Sequence, residues 1–291
     1  MYKKLKSNNN LIYFLIFLTC LLLMILLAVN ETNVFAIIKN FVFDEKFRNN
    51  FSLAESNVYI NLNLFQVIHR VLSAYTWNFD YSIIWGTNFF QLLIPCLAAV
   101  AGLLFYNDLN SIYKFSIYRT KNYKNFIIKK IFNKSIKLAA SVFFAYLVFY
   151  IITFIVTGGS LNPTITRELL LDILGKDFYY SYTYLYYLLD GIVRFLIIPF
   201  IYSFFSCSIS LILKNQKQVL FAPNFYYFGL TLFAVFLGYL VGNSSIYFSP
   251  TTIMISGQYY NVNTLLLSLI NLLPLLISFI ILKRKFNNVE I

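Results

Sequence analysis

Few residues in this chain carry active-site chemistry. The one histidine, His69, stands beside Arg70 with no acid, thiol or second imidazole at a relay or ligand spacing, so it reads as a solvated or interfacial residue. There is no HExxH, no GxSxG elbow and no pair of glutamates on one helix face. Cys20, Cys96 and Cys207 all fall in apolar runs without CxxC or Cys/His spacing, which argues against a zinc site and a disulfide framework. Gly175-Lys176 has no glycine at the required distance before it and no hydroxyl residue after it, so the chain has no phosphate loop for ATP. Asp190 and Arg194, four residues apart, fit an ion pair on one helix face. An interfacial salt bridge, with both groups reaching headgroups, is favoured there over an ion-coupling site. The expectation is a protein without catalytic residues, metal ligands or a cofactor of its own.

Any such residues must be positioned by a membrane scaffold. Of 291 residues, 59% are hydrophobic and 12% charged, against about 25% charged in soluble domains. Apolar runs long enough to cross a bilayer, roughly 20 residues each, recur at 11–29, 83–106, 138–157, 192–213, 219–241 and 264–282. This predicts an all-α polytopic membrane protein with six transmembrane helices in a single domain, 1–291. The first run exceeds the ~7–15 apolar residues of a signal peptide, so it is read as a span.

Charge sets the orientation. With the N-terminus inside, the cytoplasmic segments hold 16 of the 23 Lys and Arg residues and the outer ones six. Nine of the 11 acids lie outside, leaving only Asp108 and Glu290 within. An N-in, C-in arrangement follows, and the net charge of +12 becomes an orientation and lipid-headgroup signal instead of a nucleic-acid footprint. The expected location is a cell membrane, multi-pass, of the bacterial plasma-membrane kind.

The outer segment 30–82 has apolar pieces and few charges, consistent with interfacial amphipathic helices or with an ectodomain packed on the spans. Segment 158–191 ends in Tyr179, Tyr180, Tyr182, Tyr184, Tyr186 and Tyr187, which reads as an interfacial belt or, alternatively, a ligand surface. Segment 242–263 has no charged side chain and includes Gly242, Pro250 and Gly257. It reads as a loop that dips back toward the membrane, where its backbone must be satisfied by protein or water. Pro95, Pro199 and Pro274 place kinks in alternate spans.

The inner segment 107–137 is the most distinctive. It carries eight Lys/Arg against one acid, and from Tyr123 onward Phe126, Ile127 and Ile131 recur at helical spacing. That makes an amphipathic segment suited to anionic lipid or to a soluble partner. The layout of six spans, this basic segment between spans two and three, a tight turn at 214–218 and a polar loop before the last span resembles an ABC transporter permease of the ABC-2 class. In that family the inner segment is a coupling helix that docks on a separate ATPase. Ser116-Ile117-Tyr118-Arg119-Thr120-Lys121 resembles its arginine element, and Lys129-Lys130 stands where a Gly-Lys pair is expected; the family's proline and its Glu-x-x-x-Gly-Thr element are absent.

The resemblance implies docking through Asn110, Ser111, Tyr113, Lys114, Ser116, Tyr118, Arg119 and Lys121. It further implies an ABC ATPase subunit that binds ATP and magnesium, a second permease subunit, identical or paralogous, and export of a hydrophobic or amphipathic substrate such as a peptide, drug or lipid. The rival is a non-transport membrane assembly, sensor or immunity protein with a ligand-binding outer loop.

Overall fold

The structure is a computed structural model that describes residues 2–31, 39, 43–44, 78–113, 122–161, 170–254 and 263–287. Among these the fold is all-α, and six helices are long and apolar enough to cross a membrane. The helices are α1 (Tyr2–Glu31), α2 (Phe79–Asn88), α3 (Phe90–Asp108), α4 (Tyr123–Thr157), α5 (Leu171–Leu174), α6 (Lys176–Ser181), α7 (Thr183–Ile192), α8 (Ile198–Ile209), α9 (Gln216–Val241) and α10 (Thr264–Asn287). A π-turn, Val193–Ile197, joins α7 and α8 into one span. Most of segment 30–82, including His69, lies outside the described residues.

Three spans differ most from their sequence boundaries. The run 83–106 is divided at Phe89 into α2 and α3. The amphipathic stretch from Tyr123 fuses with the third span into one helix of 35 residues, because nothing helix-breaking separates them. The fourth span starts at Thr183 instead of 192, since the tyrosines before Asp190 fold as helix and pack inward. Tyr179, Tyr186 and Tyr187 are buried, with Tyr179 and Tyr186 edge to face at 4.8 Å, whereas Tyr180 and Tyr182 remain exposed.

The chain forms two compact units. One comprises Cys20–Asn88 and Tyr146–Thr166. Within it Phe79 meets the rings of Tyr150 and Phe154 edge on at 5.0 and 6.2 Å, and its backbone N–H donates to the Ser160 carbonyl at 2.7 Å. Gly86 packs so closely that an added Cβ would lie 2.5 Å from the Phe149 ring and 2.9 Å from the Met24 carbonyl.

The other unit comprises Met1–Thr19, Phe89–Ala145 and Arg167–Ile291. Here α3 runs parallel to the fourth span. Phe90 meets Phe195 at 5.3 Å, Gly102 sits on Ser206, and the Tyr106 hydroxyl donates to the Lys214 carbonyl at 2.7 Å. Helix α9 runs the other way along α3, with Cys96 beside Asn224 and Asn107 beside Gln216. Helix α10 follows the direction of α8, since Tyr202 donates to Asn271 and Phe204 packs on Phe279. The end of α3, the 214–218 turn and the last turn of α10 therefore share one end of this unit. Asn10 of α1 joins them through Lys137 at 3.5 Å.

Close helix approach in a bilayer depends on small residues, because apolar surface gains nothing by leaving lipid. Gly102 is one such point: a Cβ there would lie 2.1 Å from the Ser206 hydroxyl and 3.0 Å from its backbone carbonyl. Gly102→Val is expected to push α3 and α8 apart and destabilise the protein by about 1–3 kcal/mol. A lower midpoint of heat-induced loss from the monodisperse gel-filtration peak checks this.

Candidate functional site

Asp108, the last residue of α3, is the acid of the basic inner segment and is bonded within it. Its Oδ2 lies 2.6 Å from the Lys134 Nζ on α4, and the Tyr113 hydroxyl is 3.4 Å from the same oxygen. The chain leaves α3 through a π-turn, Leu109–Tyr113. The Tyr113 ring is buried between Phe105 and Phe126, at 5.9 and 5.5 Å, and Lys130 places its ammonium 5.2 Å from the Phe126 ring. Asn110 and Ser111 are exposed, though each bonds back one turn, to the carbonyls of Tyr106 and Asn107.

Among the docking residues read from the sequence, Asn110 and Ser111 thus offer surface. Tyr113 does not: it anchors the root of the segment to α3 and α4. Lys114, Ser116, Tyr118, Arg119 and Lys121 lie outside the described residues. The Asp108–Lys134 pair escaped the sequence analysis because the partners are on different helices, where no local spacing relates them.

The 214–218 turn is tied to the same root. Gln216 Nε2 donates to the Asn107 side-chain oxygen at 2.9 Å, and Asn215 caps α9 by accepting from the Gln218 N–H at 2.9 Å. Lys124, Lys129, Lys214, Lys217, Lys283, Arg284 and Lys285 are all exposed.

The opposite end of the unit has different chemistry. Asp172 accepts from both the backbone N–H and the hydroxyl of Thr264, at 2.7 and 2.5 Å, placing a carboxylate at the N-terminus of α10. Asp190 and Arg194 form an ion pair at 2.7 Å with no side-chain exposure at either residue. With the helix beginning at Thr183, Arg194 stands roughly 16 Å along it at 1.5 Å per residue, so the pair lies within the helix, enclosed by protein. Pro199 explains the local backbone: lacking an N–H, it cannot complete the ladder, and the helix widens into the π-turn that contains Arg194.

Arg194 also donates through Nη1 to the Met254 carbonyl at 3.2 Å. Met254 ends a turn that includes the short 3-10 helix Pro250–Ile253, and residues 249–254 are all buried. The Ser249 and Thr251 hydroxyls bond to each other at 2.7 Å, and Thr252 donates to the Ile246 carbonyl. Residues 249–254 of the uncharged loop 242–263 are therefore seated within the unit, with hydroxyls bonded within the loop, as burial requires. Residues 255–262 lie outside the described set.

Between residues 244–248 and α10 lies an open groove of about 760 Å³, lined by Tyr247, Phe248, Leu266, Leu269, Leu273 and Leu276 among others. Its lining is almost wholly aliphatic and aromatic, which suits an apolar ligand or lipid chain.

Among the described residues no group of three or more His, Cys, Asp or Glu side chains converges as a metal site. The Cys20 and Cys207 thiols are buried, and that of Cys96 points at the Asn224 side-chain oxygen at 3.4 Å. What the residues of this unit build is a polar anchor at one end and, toward the other, a buried charge pair holding a turn. Compared with protein-family models, curated proteins and solved structures, the chain matches none of them, so its function must be argued from these residues.

Proposed function

We propose that this chain is the permease subunit of an ATP-driven exporter of the ABC-2 kind, with both termini and the basic segment 107–137 on the cytoplasmic side of a bacterial plasma membrane. A separate ATPase binds ATP and magnesium, and docks on residues 110–121. A second permease subunit, identical or paralogous, completes the complex. Nucleotide-driven closure of the ATPase pulls on the docked segment and shifts the population of helix arrangements, through its differential affinity for them. The cargo is hydrophobic or amphipathic.

One observation carries this reading: the basic segment emerges from a root held by the Asp108–Lys134 pair, the Tyr113 ring and the Gln216–Asn107 bond, at the end where most of the other exposed cations among the described residues gather. A pull on a free loop is lost in its own flexibility, whereas a pull on an anchored one moves α3, α4 and the 214–218 turn together. Collection of Lys and Arg at one end also supports the cytoplasmic assignment of that end. The apolar groove beside the 242–248 turn supports an apolar cargo.

The deciding experiment is affinity purification from the native membrane and identification of what accompanies the chain. A polypeptide with a phosphate loop and ATPase activity is expected; its absence overturns the reading. The orientation has its own test. Asn125→Cys, at an exposed position near the start of α4, is expected to resist an impermeant maleimide in intact cells and to react after permeabilisation. Labelling in intact cells would reverse the assigned sides.

A further inference from the structure

The buried pair at the other end has a use that ion-pair stability does not explain. A fully buried charge pair is expensive, and hydrophobic residues of similar size would generally serve stability as well or better. Here the arginine is not spent on Asp190 alone. Its Nη2 faces Asp190 Oδ2 at 2.7 Å while Nη1 donates to the Met254 carbonyl, 60 residues away in sequence. The carboxylate fixes the guanidinium, and the guanidinium fixes the turn. The backbone beneath it is a π-turn ahead of Pro199, a widened segment with one ladder bond missing, which can change register more readily than regular helix.

The turn itself suits release. Residues 249–254 are held by Ser249–Thr251 and Thr252–Ile246 bonds that lie within the segment after α9 and move with it. The Arg194–Met254 bond instead crosses to the fourth span. The turn also packs on α3, α9 and α10, so breaking this bond leaves it a local structure with those contacts and removes the Arg194 side chain's hold on the Met254 carbonyl.

We propose that Arg194, oriented by Asp190, is a latch on the 249–254 turn, and that letting go of the Met254 carbonyl opens the part of this unit opposite the basic segment. This deepens the permease reading, in which that part is the outer one and the latch gates cargo exit. Residues Asp190 and Arg194 are positioning residues in this scheme; neither needs to touch cargo.

The test uses the full chain with Cys20, Cys96 and Cys207 replaced by alanine and reconstituted in lipid vesicles. Thr252→Cys, at a position only 5% exposed, reports on the turn through its rate of reaction with a hydrophilic maleimide. Ser135→Cys, buried on α4 and away from the turn, reports on general loosening. The latch is removed as the neutral pair Asp190→Leu/Arg194→Leu, which leaves no buried charge behind.

Labelling at position 252 is expected to accelerate at least tenfold in the Leu/Leu chain, with position 135 unchanged. An unchanged rate at 252, or equal acceleration at both positions, overturns the latch. A Leu/Leu chain that does not reconstitute would also overturn it, since that assigns the pair to folding. The second arm adds ATPase co-purified with the chain and a non-hydrolysable ATP analogue to the latch-intact Thr252→Cys protein. Faster labelling is expected when the permease reading holds. A positive latch result with no nucleotide effect sinks that reading alone, and a negative latch result with an ATPase in hand sinks the latch alone.

Discussion

Replacing Arg119 and Lys121 with glutamate (R119E/K121E) is expected to abolish recovery of an ATPase with the tagged chain while leaving membrane insertion and chain level unchanged. The reason is the sign of the proposed docking surface. Segment 107–137 carries a net excess of seven positive charges, and a partner adapted to it must present carboxylates. Reversing two charges turns attraction into like-charge contact at the interface, worth about 3 kcal/mol or more, which is roughly a hundredfold in affinity. A parallel reversal of Lys283 and Lys285, exposed at the same end but on α10, is expected to leave recovery within about twofold. That contrast separates docking through residues 110–121 from general attraction to a basic face. Equal loss in both variants would reduce the segment to a headgroup anchor, and undiminished recovery in R119E/K121E would count against the docking assignment.

The buried pair gives the second large effect. Asp190→Leu leaves the Arg194 guanidinium inside the protein with its carboxylate gone, and the expected loss of stability is about 3–5 kcal/mol, enough to remove much of the folded chain from the membrane. Arg194→Leu leaves the carboxylate uncompensated and is expected to do comparable damage. The double replacement leaves neither charge and is expected to recover most of the loss, so the two single effects must not add. Heat-induced loss of the gel-filtration peak, compared across the four proteins, measures the coupling. Additive effects would mean that the two side chains act independently, contrary to the 2.7 Å contact.

How much of this was legible beforehand varies with the residue concerned. The Asp190–Arg194 pair was visible because four residues is one helical turn, but its depth was not. The tyrosines ahead of it look interfacial by composition, and only their packing, with Tyr186 and Tyr187 buried against Tyr179, shows that the helix begins at Thr183. Tyr113 looked like surface in a basic segment, yet it is enclosed by Phe105 and Phe126. The bond from Arg194 to Met254 could not be anticipated at all.

The sequence alone determined that the chain is helical and of membrane type, and where six apolar runs fall. Length and apolarity of a run suffice for that, because an isolated segment in a bilayer must satisfy its own backbone by hydrogen bonding along the helix. Tertiary structure decided which polar groups meet. Asp108 finds Lys134 and Arg194 finds Met254 across helices, through side-chain packing that has no signature in local spacing. Those pairings, not the spans themselves, distinguish an anchored segment at one end and a held turn at the other from a plain set of six helices.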